Sequence, residues 1–118
     1  MFIQLNTNEG VRGDQSMSRR VEAEVGDALS HFEGEISSVD VYLKDANSTK
    51  SGPDDKICVI EARPNGMAPV AASHQAPSIA EALTVAAEKM QHRLEHVLGR
   101  RSRNQKGGES IRGSFDQL

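Results

Sequence analysis

Residues 56–98 read KICVIEARPNGMAPVAASHQAPSIAEALTVAAEKMQHRLEHVL, and the fold is decided there. In residues 56–64, Ile57, Val59 and Glu61 alternate with Cys58, Ile60 and Ala62, the period of a strand with two distinct faces. Pro64-Asn65-Gly66 is a tight-turn signal, and MAPVAASH at 67–74 reads as an antiparallel return. Pro69 has no amide proton to give to a ladder, so this fourth strand belongs at a sheet edge. Ser78 and Glu81 then have the spacing of a capping box. From Ser78 to about Leu98 good helix formers dominate, and Ile79, Leu83, Ala87, Met90, Leu94 and Val97 make one apolar stripe. Gly99 reads as the stop of that helix.

Toward the N-terminus, SVDVYLK at 38–44 alternates with Val39, Val41 and Leu43 on one side and Asp40, Tyr42 and Lys44 on the other. Residues 45–55 form a long polar loop before the next strand. Upstream, Met17, Val21, Val25, Ala28, Leu29 and Phe32 share one helical face, with Asp14 or Ser16 as cap and Gly34 as stop. Ile3 and Leu5 alternate with Gln4 and Asn6 in a first short strand. The order is β-α-β-β-β-α. A helical crossover makes the first two strands parallel, and hairpins add the others. The expected class is α+β: a four-stranded mixed sheet with two helices packed on one face. Residues 1–100 form the single domain, and 101–118 a flexible tail, basic at first and then mixed.

The chain has 118 residues and a formal net charge of -3, which excludes a uniformly basic nucleic-acid module. Its charge is unevenly placed: residues 1–62 hold 6 basic and 12 acidic side chains, residues 63–118 hold 8 and 5. A local patch for polyanions is therefore compatible with the acidic total. One cysteine excludes an internal disulfide framework and a thiolate zinc cluster. No apolar run is long enough to span a membrane, and MFIQLNTNEG is no secretion signal, so a cytoplasmic protein is expected. With one Tyr, three Phe and no Trp, base stacking has little to work with.

The second helix carries the candidate site. At about 100° per residue, Lys89, Arg93, His96 and Arg100 fall in a narrow sector roughly 90–100° from the apolar stripe, repeating every 5 Å or so. They lead into Arg101 and Arg103. Such a row suits a phosphate backbone. Arg63, Arg19 and Arg20 widen the patch only if the fold brings them to the same rim. Enzyme readings are weaker. His92 and His96 are spaced i, i+4, but Arg93 stands where a zinc protease needs glutamate. His31 and His74 complete no visible ligand set, and Cys58 sits in an apolar strand with no local base. The RGD at 12–14 is too short to carry information, and no glycine-rich stretch has the phosphate-loop ending. No catalysis, cofactor or metal is expected.

Three stretches resemble the bacterial ribosome hibernation-promoting and ribosome-associated inhibitor family, also called the sigma-54 modulation family. MFIQLNTNEG is similar to its first strand. SMSRRVEAEVGDALSHFEGEISSVDVYLK resembles its first helix and second strand, and SIAEALTVAAEKMQHRL its final helix. The resemblance covers about residues 2–100 and implies a double-stranded-RNA-binding-domain-like fold. It also implies a partner, the small ribosomal subunit with its 16S-type rRNA, and occlusion of the decoding and mRNA channel. Translation would thereby be repressed in stress or stationary phase, with no membrane or DNA involved. Lys89 falls on the family's basic position in the final helix, and Arg93 and Arg100 in its positively charged C-terminal portion. On this resemblance the chain is expected to correspond to the short form, without the domain that pairs ribosomes. Glu24 and Asp27 stand where the family commonly has lysines, so an acidic protein-interaction module on the same scaffold is the alternative.

Overall fold

Asp14 sets the start of the first helix by accepting the Met17 amide proton on its side chain at 3.0 Å, and Ser78 does the same for Glu81 at 3.2 Å. Between and around these caps, the computed structural model describes residues 1–8, 11–45 and 56–106, the last seven by their backbone alone. The order is β1 (Phe2–Thr7), α1 (Gln15–Ala28), a 3-10 turn (Ser30–Glu35), β2 (Ile36–Asp45), β3 (Lys56–Pro64), β4 (Val70–Ala76) and α2 (Ile79–Lys106). The sheet order is β1-β2-β3-β4, with β1 parallel to β2 and the other pairs antiparallel. This is the expected α+β arrangement. Residues 46–55 of the polar loop and 107–118 of the tail lie outside the described residues.

Register explains the core. Val39 pairs with Ile3 and Ala62, Val41 with Leu5 and Ile60, and Leu43 with Thr7 and Cys58. Those β2 and β3 side chains are buried on the face that the helices cover. Val21 and Val25 come down from α1, Leu29 from its C-cap, and Leu83, Met90, Leu94 and Leu98 from α2. α2 packs on β3 and β4, and the buried residues there include Ala82, Ala86 and Ala87 on the helix and Ala62, Ala72 and Ala76 on the sheet. No polar or charged side chain is buried among the described residues, so burial costs no unpaired charge there.

Two expected helix stops are displaced. The first helix leaves α geometry at Leu29, five residues before Gly34, and finishes as the 3-10 turn that seats Phe32. The second passes straight through Gly99 to Lys106. A glycine stops a helix by taking positive φ, and of the described glycines only Gly66 does so, at 74°. Gly66 closes the β3–β4 turn, where the Met67 amide donates to the Pro64 carbonyl at 3.3 Å. No helix among the described residues is long and apolar enough to cross a membrane.

Candidate nucleic-acid interface

The site is built on the outer edge of β4, and backbone alternation fixes which groups face out. The Asn8 amide donates to the Leu43 carbonyl, so Leu43 directs its backbone toward β1. Tyr42 then points its backbone at Val59, Cys58 at His74, and Ser73 away from the sheet. An independent contact agrees. The Lys89 ammonium on α2 reaches over the edge and donates to the Ser73 carbonyl at 3.1 Å. It also lies 3.3 Å from His74 Nδ1, and a third donor remains available to a ligand.

Around this lysine a groove runs between β4 and α2. Val59, Ala71 and Ser73 form its floor, and Lys89, His92 and Arg93 its flank. Lys89, His92, Arg93 and His96 are all exposed. The ion pairs among the described residues join Arg12 to Asp14, Lys56 to Asp45 and Arg63 to Glu61; none takes Lys89 or Arg93. No carboxylate among the described residues therefore neutralises their charge. The helical backbone continues past Arg100, Arg101 and Arg103, which keeps the positions of Arg100 and Arg103 on the sector begun by Lys89.

The other three arginines lie elsewhere. Arg63 is the penultimate residue of β3, on the uncovered sheet face, where its guanidinium meets Glu61 at 3.2 Å. Arg19 and Arg20 are exposed on α1. Both helices run back against β1 and β4, so they are parallel, and Thr84 donates to the Glu24 carboxylate at 3.2 Å to set their relative height. From that contact Arg19 and Arg20 lie one turn or more toward the helix starts, whereas Lys89 and Arg93 lie toward the ends. The separation along the axes is about 15 Å. The fold does not bring them to one rim.

The same contact relocates Glu24. Its carboxylate occupies the cleft between the helices, where Thr84 holds it, while Asp27 is exposed. The thiol of Cys58 is fully buried and its pKa is pushed up to about 12, by burial first and by the charge of Glu24 second. A neutral thiol in a closed core is a packing group. Among the described residues no three metal-ligating side chains gather, and His31 stands apart on the 3-10 turn. Sequence reasoning missed Ser73 and His74 as partners of Lys89. The edge position implied by Pro69 was the available signal, because only an edge carbonyl is open to a helix side chain.

A family model described as sigma 54 modulation protein / S30EA ribosomal protein matches residues 6–102. A ribosomal subunit interface protein from Coxiella burnetii has a similar structure, with a TM-score of 0.68 and 17% identity. That match covers 84% of this chain and 99% of the other. The N-terminal domain of Protein Y from Thermus thermophilus superposes with a TM-score of 0.66 at 15% identity, covering 82% and 99%. At such identities the likeness concerns the fold. No curated protein sequence matches the chain.

Proposed function

The chain belongs to the sigma 54 modulation protein / S30EA ribosomal protein family, and on that premise we propose that it binds the small ribosomal subunit through the β4–α2 face. Seated there it occludes the decoding and mRNA channel and represses translation under stress or in stationary phase. The observation that carries this reading is the pair of exposed cations on α2, Lys89 and Arg93, that no carboxylate among the described residues neutralises. Phosphate contacts from Lys89, Arg93, His96, Arg100, Arg101 and Arg103 supply affinity, and the shape of the sheet–helix sandwich supplies placement. No bond is made or broken.

Placement of Glu24 supports the reading as well. A carboxylate held between the helices by Thr84 is turned away from the cationic strip, so Glu24 does not oppose an RNA partner at the β4 edge. Co-sedimentation with ribosomal subunits across a salt series, in growing and starved cells, tests the partner. Association with the small subunit that weakens with salt is expected, and a folded protein absent from subunits in both states would overturn it. Occlusion has its own readout: excess protein should displace a short labelled mRNA from purified small subunits. Simultaneous binding of both would refute the channel position.

A further inference from the structure

The outer edge of β4 has properties that RNA binding does not require. Among the described residues no strand lies beyond it, and the body of β4, VAASHQA, carries no proline, lysine or acidic residue, the usual devices that keep other strands away. Pro69 and Pro77 stand outside its two ends and delimit it. By the alternation established above, Ala71 and Ser73 direct their backbone groups outward, and both side chains are small and exposed. Lys89 covers one of those groups, the Ser73 carbonyl.

We propose that this edge, with Lys89 and Arg93 above it, binds an acidic peptide in extended form, which joins the sheet as a fifth strand beside β4. Strand addition uses main-chain hydrogen bonds for affinity and alternate side chains for selection. Alternation on the added strand sends every second side chain to the helix face and the others to the open face, above Val59 and Ala71. The spacings agree. Lys89 and Arg93 are four helical residues apart, a rise of about 6 Å, and alternate residues of a strand are about 6.6 Å apart. Carboxylates at i and i+2 of the peptide therefore meet both cations, with small or apolar residues between them. On binding, the Lys89 ammonium exchanges the Ser73 carbonyl for a peptide carboxylate, and a peptide amide takes its place on the carbonyl. Every hydrogen bond given up is replaced.

The charge of the groove selects the occupant. A second copy of the chain, added edge to edge, would bring two Lys89–Arg93 rows together and repel. An acidic strand satisfies both the backbone and the cations. The inference does not depend on ribosome binding, because its main-chain contacts fail or succeed separately from phosphate contacts.

The test uses the full chain and a fluorescein-labelled peptide of alternating Glu and Val, six residues long, read by anisotropy. Two control peptides accompany it: one of the same composition with its glutamates clustered, and one N-methylated at the amides that face β4. We expect each control to bind about tenfold more weakly, the loss of one to two hydrogen bonds. Ser73→Pro removes an outward amide and leaves the β3 ladder and all cations in place, so it should weaken the alternating peptide similarly. A uridine oligomer is titrated against the parent protein in parallel. Equal affinity for all three peptides overturns the proposal in favour of nonspecific charge attraction, whether or not Ser73→Pro folds. Tight binding of the uridine oligomer with no measurable binding of the alternating peptide overturns it in favour of an RNA-only surface.

Discussion

Replacing Lys89 and Arg93 together by alanine isolates the electrostatic part of ribosome binding. Both side chains are exposed, neither is in an ion pair among the described residues, and neither contributes to the core. The double variant should therefore fold, with each change costing within about 0.5 to 1 kcal/mol, most of it from the Lys89 contacts to β4. Binding responds differently. Each phosphate neutralised adds about 0.7 to 0.9 to the slope of log affinity against log salt. Losing two contacts lowers that slope by about 1.5, so the parent's advantage shrinks by roughly 15-fold between 50 and 300 mM salt. The assay is sedimentation of labelled protein with purified small subunits at five or more salt concentrations, with urea denaturation of both proteins alongside. A parent-to-variant ratio that stays constant along the series would refute phosphate contact by these residues, even if the variant binds more weakly throughout.

Other outcomes follow from the packing. Met90→Ala and Leu94→Ala each empty a fully buried site, so urea denaturation should show losses of about 2–5 kcal/mol. Gly26→Ala places a methyl 3.9 Å from Ile3 Cδ1, an ordinary contact, in the body of α1; it should raise stability by up to about 1 kcal/mol through helix propensity. Gly66→Ala should cost about 1 kcal/mol because φ is 74°, and Gly66→Asn less, as thermal melts would show. Cys58 should resist thiol reagents until the protein unfolds. Its thiol stays protonated in the fold up to about 12, while the unfolded value is 9.0, so the unfolded chain alone sheds this proton as pH rises between them. Stability should fall there with rising pH by up to about 1.4 kcal/mol per unit from this group, and Cys58→Ala should remove that contribution from a pH series of denaturation curves.

Strands and helix faces were legible in the sequence where burial on a single side imposes a period. Val39, Val41 and Leu43 against Asp40, Tyr42 and Lys44 is such a case, and residues 56–64 emerged as β3 with the expected limits. Helix ends were less legible. Gly99 costs a helix about 1 kcal/mol without forbidding it, and Leu98, buried just before it, anchors the helix at that point. Of the candidate site, the cationic row could be read because it lies on one helix and needs only the 100° step. What holds Lys89 in place could not, because the Ser73 carbonyl and His74 lie 16 and 15 residues away in sequence and reach it only through tertiary packing. Glu24 shows the same limit: its charge was evident, but Thr84, 60 residues on, decides where that charge points.

Strand order in space repeats strand order in the chain, and this bears on how the molecule comes into being. A polypeptide emerges from synthesis N-terminus first. With the order β1-β2-β3-β4, each new strand is added at the free side of the one before it. No pair already joined has to part so that a later strand can enter between its members. The longest wait falls at the start, where Phe2 pairs with Ser38 and the whole of α1 lies between them in the chain. After that the sheet grows in one direction, and α2 arrives last to cover β3 and β4.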